Sequence, residues 1–497
     1  MRHRAVQIVC TIGPASREPD RLEGLIEAGM SVARLNFAHG TVEEHRETVG
    51  RIRAASQRRG EPVAILQDLA GPKLRLGKLA EGRVHLESGA EVVLICGRDA
   101  EPTETGSAQP TSDPPTALPV PDPYLAREVQ PGGPILIGDG AVELEVLAVE
   151  SPEIRARVIS GGELSSGKGI NAPGGLSARP LLEAKDVADL ELGTELGVDL
   201  VGVSYVRDPQ DLLDVRRRLR SLGRPVPLVA KIETAHALEN LEGILAKTDA
   251  VMIARGDLSL EIPYERVPME QKRIVRLAIQ AGRPVITATQ MLQSMVQASR
   301  PTRAEATDVA NAVLDGTDAV MLSDETAVGA DPVRACRTMA RIVEATQAAH
   351  PEFPEPDVEG IAAELRELAI FSRAAVRTAR EVGARAILTW SRGGLAARLL
   401  SRQRPGVPIL TPTRDEETWR RLALLYGVRP LLCPRGRLRP EQLQSVLGKL
   451  DGQDLLLVVG HHPGETRRIP WMGLVRVLDT EGWERDPRDS GRFGVFA

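Results

Sequence analysis

The sequence predicts an α/β protein built on an eight-stranded (β/α)8 barrel, with a β-rich insertion and a separate C-terminal α/β domain. Short apolar runs alternate with amphipathic helical stretches, each run ends in glycine or polar residues, and one long interruption separates the third run from the fourth. Apolar strands separated by helices indicate a parallel sheet covered on both faces. Eight such units fit a closed barrel better than an open sheet.

Eight runs have the length and composition of buried strands. They are Gln7–Ile12, Val32–Phe37, Val63–Asp68, Asp199–Ser204, Leu228–Ile232, Ala250–Ala254, Pro284–Ala288 and Asp318–Leu322. Helical patterns lie between them, for example at Asp211–Leu222 and Glu270–Ala281. In a barrel the polar ends of the strands collect at the C-terminal face, where active sites lie. We therefore expect the functional residues at these ends.

The interruption predicts a second domain. Strand-like runs occur at Arg83–Leu86, Glu91–Cys96, Pro134–Ile137 and Val142–Val149, and Glu101–Pro123 has the composition of a mobile loop. An all-β insertion between barrel strands three and four is placed to act as a lid. We assign residues 1–75 and 166–350 to the barrel, 76–165 to the lid and 351–497 to a C-terminal domain.

The C-terminal domain begins after a proline-rich linker, PEFPEP, which follows His350. A long helix is predicted from Gly360 to Val382. Strands are predicted at Ala386–Thr389, Pro408–Thr411 and Leu455–Val459. These elements indicate a separate α/β domain.

Composition limits the class of protein. The 63 basic and 68 acidic residues nearly balance and form no block of like charge, which argues against a nucleic-acid or membrane-surface partner. No apolar run is long enough to cross a bilayer and no leader pattern opens the chain, so we expect a soluble cytoplasmic protein. Cys10, Cys96, Cys336 and Cys433 are far apart, and we expect buried reduced thiols.

Two motifs at neighbouring strand ends carry the main chemical argument, KIE at Lys231–Glu233 and ARGD at Ala254–Asp257. Lys231 and Glu233 are two residues apart at a strand end, so their side chains face the same side. The carboxylates of Glu233 and Asp257 suit Mg2+ or Mn2+, which keeps positions for substrate. A lysine beside such a metal can neutralise a phosphoryl group during transfer. A surface salt bridge among the three side chains is the alternative.

Other strand ends add groups that suit an anionic substrate. Arg34 can bind phosphate or carboxylate bidentately, whereas His39 fits either a ligand contact or a structural histidine. Thr289 can orient the substrate or a proton-donating water, or it can cap a helix.

Cationic residues also flank the insertion. Asp68, Lys73 and Arg75 lie where the chain leaves the barrel, and the glycine-rich stretch Gly161–Gly174, with Lys168, lies where it returns. Cations beside a hinge suit an anionic substrate over which the lid closes.

Taken together, these motifs resemble those of the pyruvate kinase family. In the family's order the chain contains IVCTIGPAS, EAGMSVARLNFAHG, KGINAPG, IARGDLSLEIP, ATQMLQSM and RPTRAEATDVANAVLDG. The resemblance is close from Gln7 to Thr346, includes the insertion and continues more loosely through the C-terminal domain. It implies a TIM barrel with a small β-barrel lid, a homotetramer, and Mg2+-dependent transfer of the phosphoryl group of phosphoenolpyruvate to ADP, which gives pyruvate and ATP.

The resemblance also implies roles for individual residues. They are Glu233 and Asp257 for Mg2+ (or Mn2+); Arg34, Lys231, Gly256, Asp257 and Thr289 for phosphoenolpyruvate, with Arg34, Lys231 and Thr289 catalytic; and Asn36, His39, Arg75 and Lys168 for ADP or ATP. The lid would carry Asp139, in IGDG, toward the closed site.

The chain departs from the family at the monovalent-cation site. K+-dependent members use Asn, Ser, Asp and a Thr carbonyl; Asn36 and Asp68 remain here, but Ala38 and Leu69 replace the Ser and the Thr. Lys73 stands where K+-dependent members have Glu. Its ammonium can supply the charge that K+ otherwise provides, so we expect that K+ is not required. The alternative is that Lys73 points to solvent.

Further departures are Asp324, Gly138 and Ser259, none of which removes a catalytic group. At Thr389–Arg398 the family's effector loop has one extra residue, and Arg392 replaces a Gly. Arg392 either helps a phosphorylated effector to bind or fills its pocket. The C-terminal domain is thus a candidate regulatory domain.

Two other functions fit parts of the sequence. An aldolase or lyase on a related barrel would also bind pyruvate enolate with a Glu/Asp metal pair, but it needs no nucleotide lid. A catalytically silent paralogue, acting as a metabolite sensor or subunit partner, would need a broken catalytic set. The proposed set of Arg34, Lys231, Glu233, Asp257 and Thr289 is present.

Overall fold

The protein is described by a computed structural model. It covers residues 4–79, 81–99, 116–175, 179–349, 353–436, 438–450, 454–461 and 470–476. Within these ranges the chain forms a closed parallel barrel, a β-rich insert and a five-stranded C-terminal sheet. The predicted fold class is confirmed, whereas the domain boundaries stay predictions.

Strands and helices are numbered along the chain. The strands are β1 (Gln7–Thr11), β2 (Val32–Asn36), β3 (Ala64–Asp68), β4 (Leu74–Arg75), β5 (Arg83–Leu86), β6 (Glu91–Cys96), β7 (Thr116–Val120), β8 (Pro134–Ile137), β9 (Val142–Glu150), β10 (Glu153–Ser160), β11 (Gly162–Ser165), β12 (Gly169–Asn171), β13 (Leu200–Val203), β14 (Leu228–Ile232), β15 (Ala250–Ala254), β16 (Val285–Ala288), β17 (Ala319–Leu322), β18 (Ala386–Thr389), β19 (Ile409–Thr413), β20 (Val428–Leu432), β21 (Leu455–His461) and β22 (Pro470–Arg476). The α-helices are α1 (Pro19–Ala28), α2 (Val42–Arg59), α3 (Leu125–Glu128), α4 (Ala184–Leu196), α5 (Pro209–Ser221), α6 (Ala235–Glu239), α7 (Leu241–Lys247), α8 (Arg255–Glu261), α9 (Val267–Gln280), α10 (Arg303–Leu314), α11 (Asp324–Ala327), α12 (Pro332–Ala349), α13 (Arg366–Glu381), α14 (Leu395–Arg402), α15 (Glu416–Arg421) and α16 (Pro440–Leu447). Short 3-10 helices occur at Tyr264–Arg266, Gln293–Val296, Ala363–Leu365 and Leu422–Leu424.

The barrel closes in the order β1-β2-β3-β13-β14-β15-β16-β17, and β17 pairs in parallel with β1. Each of the eight predicted runs contains one of these strands. Because side chains alternate along a strand, one set fills the barrel interior, including Val9, Leu66, Val229, Met252 and Met321. The other set packs under the helices. All eight strands therefore present their carboxyl ends at one face.

The two barrel helices predicted at Asp211–Leu222 and Glu270–Ala281 are present, but each begins earlier than predicted. The Asp208 side chain accepts hydrogen bonds from the backbone N–H groups of Gln210 and Asp211, and Pro209 occupies the first turn, so α5 begins at Pro209. Helix α9 begins at Val267, directly after a 3-10 turn. The Asp208 cap therefore extends α5 beyond its apolar pattern, whereas among the described residues no side chain caps the start of α9.

The insert forms a seven-stranded sheet, β4-β12-β8-β9-β10-β6-β7, beside the two-stranded β5–β11 pair. One apolar core lies under both, with Leu94, Leu118, Leu144 and Ile154 fully buried. The prediction of a mobile loop over Glu101–Pro123 is wrong for its last part, because β7 is a strand that pairs with β6. Residues 101–115 of that loop lie outside the described residues.

The C-terminal sheet has the order β20-β19-β18-β21-β22, and its last strand is antiparallel. Strands β20 and β22 were not predicted from the sequence. The helix predicted from Gly360 begins only at Arg366. A 3-10 turn at Ala363–Leu365 directly precedes it. A Cβ at Gly360 would lie 3.1 Å from the backbone oxygen of Gln280, so the chain passes close to the end of α9 there.

Buried ion pairs join the C-terminal domain to the N-terminal face of the barrel. Asp199 is fully buried and contacts Arg53 at 2.8 Å and Arg420 at 2.9 Å. Asp318 pairs with Arg404 at 2.8 Å. These contacts fix the C-terminal domain at the face opposite the strand ends that carry the candidate site.

The cysteines and the hydropathy of the helices were also predicted from the sequence. All four cysteines are buried and free, as predicted. Across the described ranges, none of the helices combines the length and apolar character needed to cross a membrane.

Candidate active site

Four predicted residues meet in one buried cluster at the ends of β2, β3 and β14. Arg34 Nε lies 2.6 Å from Asp68 Oδ2. Lys231 Nζ lies 3.2 Å from Asp68 Oδ1 and 2.8 Å from Glu233 Oε1. Lys231 and Glu233 thus do form a salt bridge, but with side chains only 10% and 1% exposed it is buried, so the alternative of a surface salt bridge is wrong for this pair.

Neighbouring residues complete the hydrogen bonding of this cluster. Arg34 Nη1 donates to Thr11 Oγ1 at 3.0 Å, and Lys231 Nζ donates to Ser204 Oγ at 2.7 Å. The backbone N–H of Tyr205 donates to Glu233 Oε2 at 2.8 Å. Glu233 Oε1 makes only the ion pair with Lys231 and no directed hydrogen bond. One buried carboxylate oxygen therefore keeps capacity for another ligand.

Asp257 adds a third carboxylate, at the start of α8. Its Oδ1 atom lies 3.1 Å from Lys73 Nζ and 3.4 Å from the Tyr205 hydroxyl. Lys73 was predicted to lie with Asn36 and Asp68, but its described ion pair is with Asp257 instead. The alternative that Lys73 points to solvent is wrong, since it faces this carboxylate with its side chain only 30% exposed.

The charges control the protonation of the cluster. Burial raises the pKa of Glu233, and the nearby Asp257 carboxylate raises it further against the opposing charge of Lys231. Burial acts in the same direction on Asp68, but the charges of Lys231 and Arg34 outweigh it and hold the pKa of Asp68 below its usual range. Burial would lower the pKa of Lys231, yet Asp68 and Glu233 raise it, so this lysine stays charged.

The donor set fits a hard divalent cation. Glu233 and Asp257 are close enough to repel each other, and Glu233 keeps an oxygen without a directed hydrogen bond. The part of the chain that is described holds no cluster of three or more His, Cys, Asp or Glu residues suited to a metal. Two carboxylates match Mg2+, which usually takes one or two and fills its other positions with water and substrate oxygens.

Thr289 and Gly256 are brought together at the rim of the cluster. The backbone N–H of Gly256 donates to Thr289 Oγ1 at 2.8 Å, and the Thr289 hydroxyl donates to the Ala288 carbonyl at 2.7 Å. Thr289 has a φ of 71°, a left-handed conformation that a threonine adopts only when its surroundings impose it. Thr289 is not the N-cap residue of a described helix, although its hydroxyl satisfies the N–H of Gly256 in the first turn of α8.

Arg255 holds this rim in place, a role that the sequence analysis missed. Its two Nη atoms contact the two carboxylate oxygens of Asp308 at 2.6 and 2.7 Å, and Nη2 donates to the Thr289 carbonyl at 2.9 Å. A bidentate pair of this kind fixes a guanidinium in orientation. Arg255 is therefore a positioning residue, and its signal in the sequence was its place next to Gly256 in ARGD.

The residues predicted for the nucleotide fall into two groups. Arg75 and Lys168 lie on the two chains of the hinge, where the backbone N–H of Leu76 donates to the Lys168 carbonyl at 2.8 Å. Both are exposed, as is His39. Asn36 Oδ1 accepts from the backbone N–H of Ala38 at 3.1 Å, so this amide is used within its own turn. None of the described contacts joins the hinge pair to the β2 loop.

The lid approaches the barrel beside α8. Asn171 Nδ2 donates to the Leu260 carbonyl at 2.8 Å. A Cβ at Gly140 would lie 3.5 Å from a methyl group of Leu260. Asp139, next to it, is exposed with a φ of 57°. The turn that carries Asp139 therefore lies close to the helix that carries Asp257.

The three further departures have simple structural positions. Asp324 is exposed at the first residue of α11. The Ser259 hydroxyl donates to the Gly256 carbonyl at 2.7 Å. Gly138 has a φ of 65°, which a glycine adopts without strain. None of the three lies among the contacts of the buried cluster.

Comparison with known proteins agrees with this geometry. Residues 3–336 match the family model "Pyruvate kinase, barrel domain", and residues 370–456 match "Pyruvate kinase, alpha/beta domain". A pyruvate kinase of Corynebacterium efficiens is 40% identical over 470 residues, which are 93% of this chain and 96% of the relative. One of Mycobacterium tuberculosis is 39% identical over 469 residues, with the same shares of the two chains. Pyruvate kinase 2 of a Synechocystis species is 43% identical over 436 residues, 86% of this chain and 71% of the relative. The chain therefore belongs to the pyruvate kinase family.

Proposed function

We propose that the protein transfers the phosphoryl group of phosphoenolpyruvate to ADP in a Mg2+-dependent reaction that yields pyruvate and ATP. The observation that carries this proposal is the buried cluster at the barrel's C-terminal face, in which Lys231 bridges Asp68 and Glu233. With Arg34, Lys73 and Asp257 the site holds three cations and three carboxylates. A bound divalent cation then gives it a net positive charge, which suits a substrate with a phosphate and a carboxylate.

Each residue of the cluster has a distinct task. Arg34 and Lys231 bind the transferring phosphoryl group, and Asp68 holds both cations in position through contacts of 2.6 and 3.2 Å. Glu233 and Asp257 would hold Mg2+ or Mn2+, which when bound supplies Lewis-acid stabilisation of developing negative charge. Because these groups are preorganised, they need little rearrangement as charge moves during transfer.

The rim binds the substrate's carboxylate and directs the proton. The Gly256 N–H now donates to Thr289 Oγ1 at 2.8 Å and the Thr289 hydroxyl donates to the Ala288 carbonyl at 2.7 Å, and a bound carboxylate would compete for both donors. In this proposal Thr289 also orients the water that protonates the enolate. Asn36, His39, Arg75 and Lys168 bind ADP, and the lid with Asp139 closes over the site and excludes water.

We also propose that catalysis does not need K+. Lys73 Nζ sits 3.1 Å from Asp257 Oδ1, so a fixed ammonium already lies at the edge of the site. The ammonium lies beside Asp257, a proposed metal ligand. The sequence had instead suggested a position beside Asn36 and Asp68. The role is the same, a permanent positive charge close to the phosphoryl group.

Lys73→Glu is expected to lower kcat by about tenfold to a hundredfold, because it replaces an attractive contact with Asp257 by repulsion between two carboxylates. Added K+ is expected to restore part of the loss. Steady-state kinetics with and without K+ measures both effects. Lys78→Glu is the matched control, since Lys78 is exposed on the same segment. A Lys73→Glu variant with unchanged kcat and no response to K+ would remove the proposed role.

Phosphorus NMR tests the reaction itself. With phosphoenolpyruvate, ADP and Mg2+, the phosphoenolpyruvate resonance should be replaced by the γ-phosphoryl resonance of ATP. Binding of both ligands without turnover would favour the silent paralogue. Aldehyde-dependent loss of pyruvate, without phosphoryl transfer, would favour the aldolase or lyase.

Three predictions concern the protein beyond this reaction. We propose a cytoplasmic homotetramer that binds neither nucleic acid nor a membrane. A phosphorylated effector is proposed at Thr389–Arg398, where Arg392 is exposed and its carbonyl accepts a hydrogen bond from the Thr418 hydroxyl at 2.9 Å.

A further inference from the structure

A small cavity lies between the C-terminal domain and the N-terminal face of the barrel, away from the proposed active site. On the barrel side it is lined by the connection between α9 and β16, and on the other side by α14 and the turn after it. Four arginines line it, Arg283, Arg398, Arg402 and Arg404, together with one acid, Asp318. The lining is therefore strongly cationic.

Both carboxylate oxygens of Asp318, the one acidic side chain that lines the cavity, already accept hydrogen bonds. Asp318 accepts from both Nη atoms of Arg404, at 2.8 and 2.9 Å, and also from the backbone N–H of Val285. In the described residues, the guanidinium groups of Arg402 and Arg283 donate hydrogen bonds only to backbone carbonyl oxygens. Arg402 donates to those of Ile279, Gln280 and Asp357, and Arg283 to those of Leu245 and Ala246. No carboxylate in the cavity is left to balance the remaining charge.

Several guanidinium N–H groups at the cavity lack a partner. Arg398 Nε, Arg402 Nη1 and Arg404 Nε are buried and have no hydrogen-bond partner. Over the residues that the structure describes, the Arg398 guanidinium makes neither a hydrogen bond nor an ion pair. A buried, unpaired donor on a charged group costs free energy, so such groups are normally satisfied by a ligand or by ordered water.

The electrostatics of the cavity point the same way. Burial lowers the pKa of Arg398, and the only charge that opposes this effect is Asp249, which is itself paired with Arg216 at 2.6 Å. Burial likewise lowers the pKa of Arg402, to about 10. Burial and the charge of Arg398 both lower the pKa of Arg283. The charges of Asp249 and Asp357 oppose these shifts only in part, so a bound anion would relieve the remaining repulsion among the arginines.

We propose that this cavity is an anion-binding site that takes a small inorganic anion between the two domains. The space that the centre of a water-sized sphere can occupy is about 10 Å3, about what a single water molecule needs, so the guest is one small ion and not a nucleotide or a sugar phosphate. The site is separate from the predicted effector site at Arg392. That residue precedes α14 and is exposed, whereas Arg398 and Arg402, within α14, line the cavity next to the barrel. The bound anion joins the C-terminal domain to the barrel and stabilises their contact.

Thermal unfolding of the full chain tests the site, with chloride and phosphate as probes. Sodium gluconate, whose anion is too bulky for the cavity, is replaced by either salt at constant ionic strength. The melting temperature of the wild type is expected to rise by about 2 °C or more with at least one probe. A rise with chloride alone indicates a spherical ion, and a rise with phosphate indicates an oxyanion. Titration calorimetry then gives the dissociation constant.

The difference in melting temperature between Arg398→Gln and the wild type should change sign between the two salts. In gluconate this variant is expected to melt above the wild type, because it removes one of several positive charges that lie close together at the cavity. In the salt, chloride or phosphate, that stabilises the wild type, the variant is expected to melt below the wild type. It should also bind that anion at least about tenfold more weakly. An arginine that served only in packing would lower the melting temperature equally in both salts.

Two further variants complete the design. Arg377→Gln is the matched control, since Arg377 is exposed in the same domain and pairs with Glu355, and it should keep the anion response of the wild type. Arg398→Lys keeps the charge and serves if Arg398→Gln does not fold; it should weaken anion binding by a smaller factor. The proposal is overturned if the wild type shows no anion-dependent shift, or if the Arg398 variants show the same shift as the wild type.

Discussion

Lys231→Met is expected to lower kcat by about 10²–10³-fold, one of the two largest losses that we predict. Among the residues that the structure describes, Lys231 is the only cation that contacts both Asp68 and Glu233, at 3.2 and 2.8 Å. Without it the transferring phosphoryl group loses a charge partner, and two buried carboxylates face each other without a shared cation. Steady-state kinetics with phosphoenolpyruvate and ADP measures the loss.

The same substitution should also destabilise the fold. Removing one partner of a buried ion pair costs about 3–5 kcal/mol, so the melting temperature of Lys231→Met is expected to fall. Lys231→Arg keeps the charge, and it should recover more stability than activity because its planar guanidinium cannot reproduce the geometry of an ammonium. Lys247→Met, at an exposed lysine of α7, is the control. A Lys231→Met enzyme that turns over near the wild-type rate would contradict the assignment.

Glu233→Gln is the second large effect, and we expect a loss of kcat of about 10²–10³-fold together with weaker metal binding. The amide keeps an oxygen that can accept from the Tyr205 N–H, so the fold should remain intact. Mn2+ affinity, followed by the electron paramagnetic resonance signal of the free ion, is expected to fall at least about 10–100-fold. Asp257→Asn should show the same two losses.

A matched substitution separates this effect from a general change of charge. Glu265→Gln removes one exposed carboxylate from the same part of the barrel and should leave both Mn2+ binding and turnover unchanged. If Glu233→Gln bound Mn2+ as tightly as the wild type and retained its kcat, Glu233 would not be a metal ligand.

The barrel could be predicted from sequence because its strands are buried on both faces and therefore read as continuous apolar runs. Leu228–Ile232 and Ala250–Ala254 were predicted residue for residue. Strand β7 was missed because it lies in a proline-rich stretch, and only its pairing with β6 makes it a strand. Strand β20 contains Pro430 and Arg429, which hide its pattern in the same way.

The side chains of the site were largely predictable, but their partners were not. Position at a strand end placed Arg34, Lys231 and Glu233 together, because all parallel strands end at one face. The contact of Lys73 with Asp257 depends on how the chain turns between β3 and β4, which no local pattern fixes. Tyr205 was missed for a similar reason, since its contribution to Glu233 is a backbone N–H held at a φ of 55°.

The cationic cavity was not predictable from sequence at all. Its arginines come from two domains, Arg283 on one side and Arg398 and Arg402 on the other, more than a hundred positions apart. Each one alone reads as an ordinary surface residue. Only the packing of α14 against the barrel brings them together.

The most direct test of the central claim is pyruvate formation from phosphoenolpyruvate and ADP, coupled to lactate dehydrogenase, in a buffer free of K+ and Na+. With Mg2+ present, we expect full activity without K+, no further gain when K+ is added, and none after chelation of the divalent metal. Strong activation by K+ would overturn the role of Lys73 and leave the phosphoryl transfer in place. No pyruvate in either buffer, from folded protein, would contradict the proposed function.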